Sequence, residues 1–173
     1  GKQATTPGKQ PTTVTLAAGS WPCHVTDVGP TATAFQGFFS GNDQPEFVAT
    51  AVTTAGWTGL GTLTQYKDTN LAIGSTLSLF DLVVTPSAAN KGQITLLQDI
   101  GGPFVLTIKG ADNFAAYRFD HGLIAHSLLS VTVPGTNANG LSHVSIYADA
   151  GRITSAVPEP QSYALWLAGL VGV

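Results

Sequence analysis

Apolar and polar residues alternate along much of this chain with a period of two. In the stretch 104–109, Phe104, Leu106 and Ile108 fall on one side and the residues between them on the other. This is the period of a β-strand, in which successive side chains point to opposite faces. We therefore predict a strand with Phe104, Leu106 and Ile108 in the core and its other face exposed to water.

The same reasoning predicts strands along the whole body of the chain. Stretches rich in Thr, Val, Leu and Phe are separated at short intervals by Gly, Pro, Asn and Asp, as in proteins built from short strands. The predicted strands span residues 12–18, 24–28, 32–39, 46–54, 60–66, 75–85, 92–98, 103–109, 114–120, 126–133 and 141–148. In the last of these, Val144 and Ile146 are predicted to lie in the core. Tight turns are predicted from residue type at Ser40–Asp43, Lys67–Asn70, Ala89–Gly92, Gly110–Asn113 and Pro134–Asn137.

The body of the chain has no long stretch with the apolar spacing i, i+3, i+4, i+7 that marks an amphipathic helix. At 173 residues the chain fits a single domain. We predict an all-β fold over residues 14–155, an antiparallel β-sandwich of jelly-roll-like type. An extended N-terminal arm, residues 1–13, precedes this domain, and a separate C-terminal segment, residues 156–173, follows it.

The N-terminal arm contains two prolines and a single small apolar residue. It lacks the apolar side chains that would offset the entropy cost of ordering it. We expect Val14 and Leu16 to anchor the adjoining strand, and the arm to cross onto a neighbouring copy and add to its sheet edge.

The chain carries few charges. Charged residues make up 10% of the sequence, against about 25% in a typical soluble domain. The net charge is −3, and the 7 lysines and arginines are scattered. They form no stripe for binding phosphates, which argues against a nucleic-acid partner. A surface with so little charge favours self-association, so we predict a homo-oligomer or a filament.

The C-terminal segment combines a proline-flanked motif with an apolar run. In the motif Val157-Pro158-Glu159-Pro160, the two prolines fix φ and remove backbone donors, which predicts an extended, accessible peptide. Residues 163–173 carry no charge, and we predict a helix over residues 162–173. The side chains that would anchor this helix in an apolar environment are Tyr163, Leu165, Trp166, Leu167, Leu170 and Val171.

This arrangement resembles the PEP-CTERM sorting signal of Gram-negative bacteria, in which Pro-Glu-Pro precedes a membrane helix and a short arginine-rich end. The apolar run here is eleven residues long and no basic cluster follows it, whereas a membrane span needs about 20 residues. The resemblance implies an exosortase substrate whose signal is present only in part. Such a protein contacts the inner membrane transiently and is exported to the cell surface or extracellular matrix. Because the sequence opens at Gly1 without an apolar leader, we expect any secretory signal to have been removed.

A second resemblance covers the segments 104–110, 114–120 and 141–148. The segments Phe-Val-Leu-Thr-Ile-Lys-Gly, Phe-Ala-Ala-Tyr-Arg-Phe-Asp and Leu-Ser-His-Val-Ser-Ile-Tyr-Ala resemble the closing half of many PEP-CTERM surface proteins. Those proteins are associated with biofilm and exopolysaccharide. The resemblance implies no enzymatic activity, because they do not form one enzyme family.

The densest group of polar side chains runs from Arg118 to His126 and includes Asp120 and His121. With His143 these residues suggest a metal site or a His–Asp pair. However, His121 and His126 are five residues apart and would face opposite sides of a strand. We favour a polar strand end whose side chains bond locally.

Other catalytic patterns find less support. Cys23 has no patterned histidine partner, and we interpret it as a small buried hydrophobe. The two glutamates are Glu46 and Glu159, the latter inside the sorting motif. A two-carboxylate glycosidase would need a pair among the aspartates, and no spacing brings two together. The candidates are Asp68, Asp81, Asp99, Asp112 and Asp120. We predict that the protein is not an enzyme and uses no cofactor or metal.

Two loops and one tryptophan remain as candidate binding elements. Asn42–Glu46 and Asp68–Asn70 carry oxygen ligands of the kind that Ca²⁺ takes, but we favour turn-forming side chains that bond their own backbone. Trp57 lies among glycines and is the best candidate for contact with a glycan.

The leading hypothesis is a non-enzymatic structural protein of the cell surface or extracellular matrix. It would associate with itself into a polymer or filament and be linked to biofilm or exopolysaccharide. The alternative is a carbohydrate-binding module attached to exopolysaccharide.

Overall fold

The computed structural model of the chain describes residues 16, 22–67, 78–135 and 140–155. Within these ranges it has eleven β-strands and one α-helix, α1 (Pro45–Thr54). The strands are β1 (Val28–Gly29), β2 (Ala34–Ser40), β3 (Leu63–Lys67), β4 (Phe80–Thr85), β5 (Ala88–Leu96), β6 (Gln98–Ile100), β7 (Phe104–Gly110), β8 (Asn113–Phe119), β9 (Leu128–Thr132), β10 (Leu141–Asp149) and β11 (Ile153–Ser155).

The strands form antiparallel sheets, which confirms the all-β prediction. A four-stranded sheet has the order β1-β9-β5-β4, and a five-stranded sheet has the order β2-β8-β7-β10-β3. A short third sheet pairs β11 with β6. Strand β7 is therefore the centre of the larger sheet, with β8 and β10 on its two sides.

The two larger sheets contribute to one hydrophobic cluster, called here the main core. From the four-stranded sheet it includes Phe80, Ile94, Leu96, Leu129 and Val131, and from the five-stranded sheet Phe104, Leu106, Ile108, Tyr117, Val144 and Ile146. All five residues that the sequence placed in the core are fully buried there, namely Phe104, Leu106, Ile108, Val144 and Ile146.

The predicted strand 46–54 is wrong, because this segment is helix α1. Pro45 stands in the first turn, where its missing N–H costs nothing. The hydroxyls of Thr50 and Thr53 donate to the carbonyl oxygens of Glu46 and Ala49 at 2.9 Å, so threonines that favour strands are satisfied within the helix. Among the described residues, no helix is both long and apolar enough to span a bilayer.

Helix α1 lies against the five-stranded sheet on the side away from the main core. Its buried Val48 and Ala51 join a second cluster, called here the helix-side core, which also contains Val105 of β7. The remaining buried members are Phe39, Leu60, Phe114, Ala116 and Tyr147, with Leu16, Phe47, Val52, Trp57 and Leu63 packed half-buried against them.

The prediction that one face of the strand 104–109 is exposed to water is therefore wrong. All seven residues of β7 are buried, because α1 and the loop before it cover the face that carries Val105, Thr107 and Lys109. The buried Lys109 ammonium donates a hydrogen bond to the carbonyl oxygen of Ala111.

The turn predicted at Ala89–Gly92 is also wrong, since these residues belong to β5. The β4–β5 hairpin turns instead at residues 86–87. Gly92 is needed for packing, because a Cβ there would stand only 2.8 Å from Leu141 and 3.0 Å from Leu82. The turn predicted at Gly110–Asn113 is confirmed between β7 and β8.

The predicted strand 24–28 is mostly a 3-10 turn, Val25–Asp27, which ends where β1 begins. The Asp27 carboxylate closes this turn by accepting from the His24 N–H at 2.8 Å. The same oxygen accepts from the Tyr117 hydroxyl at 2.7 Å, which ties the turn to β8.

Candidate functional site

Strand β4 is an outer strand of the four-stranded sheet. Within the described ranges it pairs on one side only, with β5, in a regular ladder from Phe80 to Val84. Val83 is 65% exposed and Val84 is 40% exposed. β4 contains no lysine, arginine or proline. An apolar edge strand without such residues is open to pairing with another strand.

The other outer strands of the two larger sheets are less suited to pairing. Strand β1 has two residues, and β2 is interrupted by an irregularity between Gln36 and Phe39. Strand β3 is five residues long and ends on Lys67. Among the described strands, β4 therefore presents the longest regular edge without a positive charge.

The Trp57 loop, defined as residues 55–62, connects α1 to β3. Three of its glycines, Gly56, Gly59 and Gly61, have φ between 69° and 76°, a conformation that other residues rarely adopt. Leu60 is buried in the helix-side core, and Trp57 packs half-buried against it. The Trp57 N–H also donates to the carbonyl oxygen of Val52 at 3.1 Å, so the loop begins as a continuation of the helix end.

Side chains from the far end of the chain hold this loop. Arg118 of β8 donates to the carbonyl oxygen of Thr58 at 2.8 Å. Arg152 donates to the carbonyl oxygens of Gly59 at 2.8 Å and Pro103 at 2.9 Å. The loop backbone is therefore held at the two residues that follow Trp57.

Asp149 holds the end of the Trp57 loop. Its carboxylate accepts from the N–H groups of Gly151 at 2.9 Å and Thr62 at 3.1 Å. These two hydrogen bonds lower the pKa of Asp149 below its usual value. A Cβ at Gly61 would collide with this carboxylate, which explains the glycine.

A buried polar network surrounds Asp43, in the loop before α1. Asp43 is 2% exposed. Its Oδ1 lies 2.5 Å from Nε2 of His143, and its Oδ2 accepts from the Thr107 hydroxyl at 2.6 Å. Its carbonyl oxygen accepts from the Tyr147 hydroxyl and from the Gln65 amide. Side chains of β3, β7 and β10 therefore pin the start of α1 to the sheet.

The hydrogen bonds of this network hold the start of α1 against the sheet. Burial alone would raise the pKa of Asp43, but the hydrogen bonds from His143 and Thr107 outweigh burial, and the pKa lies below its usual value. The Asp43 carboxylate therefore stays charged at neutral pH, and both of its oxygens take part in hydrogen bonds. The neighbouring Ser145 is fully buried and accepts from Gln65, so the Asp–His pair has no exposed nucleophile in this network.

The structure separates the polar cluster that the sequence suggested around Arg118 and His126. His143 pairs with Lys109 at one end of β7, whereas Phe119, which precedes Asp120, pairs with Phe104 at the other. Five strand residues span about 17 Å, so His143 cannot join the cluster. Arg118 and Asp120 form an ion pair at 2.7 Å, while His121 and His126 are exposed.

Cys23 is buried in the main core, as the sequence indicated. Burial, with the nearby Asp27 charge, raises the pKa of its thiol to about 12. The thiol therefore stays protonated at neutral pH and is a poor nucleophile.

The candidate cation loops find no support as metal sites. In the Asn42–Glu46 loop, the Asp43 carboxylate faces inward and is occupied by His143 and Thr107. Within the described ranges, no three His, Cys, Asp or Glu side chains lie close enough together to hold a metal ion. The second loop, Asp68–Asn70, lies outside the described residues.

Several sequence-predicted residues lie outside the described part of the chain and stay predictions. They are Val14, the motif Val157-Pro158-Glu159-Pro160, and the anchor residues Tyr163, Leu165, Trp166, Leu167, Leu170 and Val171. Leu16 is described, and it packs half-buried against the helix-side core of its own chain.

Two parts of these sites were missed by sequence reasoning. The Asp43 network joins residues up to 104 positions apart, so no local signal reveals it. Arg152 is one of the 7 scattered basic residues, and nothing near it in sequence indicates the loop that it holds. The edge position of Val83 likewise depends on the order of the strands.

Comparison with known proteins adds no assignment. No protein-family model, curated protein or solved structure matches this chain.

Proposed function

We propose that this chain is a non-enzymatic structural protein of the cell surface or extracellular matrix, and that its copies associate through β4. The observation that carries the proposal is the regular edge of β4, which has no positive charge and whose Val83 is 65% exposed. The low charge of the whole chain, 10% of residues, supports it, because little electrostatic repulsion opposes contact between copies.

The proposed scaffold is a β-sandwich made from the two larger sheets. Their inward side chains share the main core, which supports a face-to-face arrangement. Helix α1 covers the opposite face of the five-stranded sheet. The edge proposed for association is β4, the outer strand of the four-stranded sheet.

The geometry of β4 suits pairing with β4 of a second copy. In an antiparallel pair centred on Val83, the two Val83 side chains meet, and Asp81 of each copy stands opposite Thr85 of the other. Each carboxylate then faces a hydroxyl, and the two negative charges lie at opposite ends of the ladder. An interface of six residues a side is small, so the association is weak and depends on concentration.

The proposal includes export by the PEP-CTERM route. The motif at residues 157–160 and the apolar run after it support recognition by an exosortase with transient contact to the inner membrane of a Gram-negative bacterium. A weak contact of this kind becomes effective on a crowded surface or in a biofilm matrix containing exopolysaccharide, where many copies are held close together.

The first test replaces Val83 with lysine. Two lysines would meet at the centre of the proposed pair, so we expect the dissociation constant for self-association to rise at least about tenfold, or about 1.4 kcal/mol. Sedimentation velocity over a range of protein concentrations measures this. Because Val83 is largely exposed, the melting temperature should change little.

The matched control is Gln93→Lys. Gln93 is the register partner of Val83 on β5 and is exposed on the same sheet, but it lies on an inner strand. This control should associate like the wild type. Equal loss in both variants would mean that general charge, and not the β4 edge, governs association; a wild type that stays monomeric at the highest concentration would refute the proposal.

A second test removes residues 1–11. If copies meet at β4, this truncation should fold and melt like the full chain, because residues 1–11 carry a single small apolar side chain. We expect its association constant to fall by less than a factor of two. Circular dichroism and sedimentation velocity check both points. Weaker association in the truncation, with Val83→Lys unaffected, would instead identify the arm as the connector between copies.

A further inference from the structure

The Trp57 loop is a rigid element that self-association through β4 does not use. It holds a half-exposed indole on a backbone fixed by Arg118, Arg152 and Asp149. Three glycines with positive φ allow the loop to adopt this conformation. Side chains that are distant from the loop in sequence then stabilise it. A loop fixed in this way loses little conformational entropy when it binds a ligand.

The Trp57 side chain is only partly buried, and the glycines near it add no side chains to the loop. A Cβ built at Gly56 or at Gly59 would have no atom within 4 Å. Positive φ explains why glycine is favoured at these positions. The neighbouring Thr58 is exposed.

A guanidinium and a carboxylate lie next to the Trp57 loop. One guanidinium, that of Arg118, joins the carbonyl oxygen of Thr58 at 2.8 Å to Oδ1 of Asp120 at 2.7 Å. The Asp120 side chain is 45% exposed, so this fixed carboxylate faces solvent close to the loop.

We propose that the Trp57 loop binds a neutral sugar ring of a polysaccharide. The indole face, which carries partial negative charge, suits the apolar C–H face of a pyranose. The exposed Asp120 carboxylate accepts hydrogen bonds from ring hydroxyls, and Arg118 keeps it oriented.

The charges around the loop favour a neutral ligand over an anionic one. Arg118 and Arg152 already donate to backbone carbonyl oxygens, and Arg118 also pairs with Asp120. Asp149 lies near Arg152, so two cations are balanced by two carboxylates. An anionic glycan would find no free cation among these groups.

Affinity gel electrophoresis tests this proposal with dextran, xyloglucan, galactomannan and laminarin as neutral probes, and alginate as the anionic probe. We expect at least one neutral probe to retard the wild-type chain and alginate to have no effect. Trp57→Ala should lower the association constant at least about tenfold, and Asp120→Ala several-fold. Phe35→Ala is the matched control, because Phe35 is an exposed aromatic residue on β2, and it should bind like the wild type.

Three outcomes would overturn the proposal: no retardation by any neutral probe, retardation by alginate alone, or a folded Trp57→Ala variant that binds like the wild type. If Trp57→Ala fails to fold, Asp120→Ala decides, since Asp120 is exposed and lies outside both cores. Repeating the measurement in the Val83→Lys background separates sugar binding from self-association, because that variant should keep the binding even if it stays monomeric.

Discussion

Replacing Leu106 with aspartate should unfold most of the protein at room temperature. Leu106 is fully buried in β7, with Tyr117 of β8 and Ile146 of β10 as its register partners. Removing a buried leucine side chain costs about 2–5 kcal/mol, and a buried carboxylate without a partner adds several more. Since domains are stable by about 5–15 kcal/mol, this single change removes most or all of the stability.

Urea denaturation followed by circular dichroism measures the effect. Leu106→Ala should lose about 2–5 kcal/mol and stay folded, which separates the cavity from the charge. Gln93→Asp places the same new charge on an exposed strand position and should cost about 1 kcal/mol or less. A Leu106→Asp variant that unfolds at the same urea concentration as the wild type would contradict the position of β7 in the main core.

The alternation in β7 predicted the strand and its core face, but not the burial of its other face. Val105, Thr107 and Lys109 are a mixed set that suits an exposed face, but all three are buried. Val105 packs with α1 in the helix-side core, and Thr107 donates to Asp43 in the loop before α1. Which face of a strand is covered depends on elements far away in sequence. A period of two identifies a strand, but it does not show how many layers of structure pack around that strand.

Helix α1 was missed because its residues have conflicting preferences. Its run of Val, Thr and Ala includes five β-branched residues, which favour strands. The signals for a helix were Pro45 at its start and the i, i+3, i+4 spacing of Val48, Ala51 and Val52. Packing of that apolar stripe on the sheet decides the outcome, since burial outweighs a propensity difference of a few tenths of a kcal/mol per residue.

The Trp57 loop likewise has features that the local sequence indicates and contacts that only the fold reveals. The glycines around Trp57 marked a special loop in the sequence, and the structure gives them positive φ. The groups that fix the loop, Arg118 and Arg152, come from positions 60 and 93 residues away. Sequence therefore indicated the loop, and only the fold identified the residues that hold it.

Asp43→Ala should destabilise the protein by about 1–3 kcal/mol, the usual cost of leaving buried hydrogen-bonding groups without a partner. The substitution leaves His143 and Thr107 without their common acceptor, and both lie beneath the start of α1. Thermal and urea unfolding measure the loss. Asp81→Ala, an exposed aspartate on β4, is the control and should change stability by about 0.5 kcal/mol or less.

The effect should depend on pH in a definite direction. The pKa of Asp43 is lowered in the folded protein, so its contribution to stability is fully present above its unfolded pKa of about 3.9. The contribution is lost as the pH falls through the lower folded pKa. The stability difference between wild type and Asp43→Ala should therefore stay constant from pH 7 to pH 5 and shrink below about pH 4.

A double-mutant cycle with His143→Ala separates the pair from its surroundings. If Asp43 acts mainly through His143, the two substitutions together should cost less than their sum by about 0.5–3 kcal/mol. A cost near the sum would assign the loss to Thr107, the other donor to the Asp43 carboxylate. Tyr147 and Gln65 donate to the backbone carbonyl oxygen of residue 43, which alanine keeps. A loss below about 0.5 kcal/mol in Asp43→Ala itself would show that the carboxylate bonds to His143 and Thr107 do not help to hold α1 on the sheet.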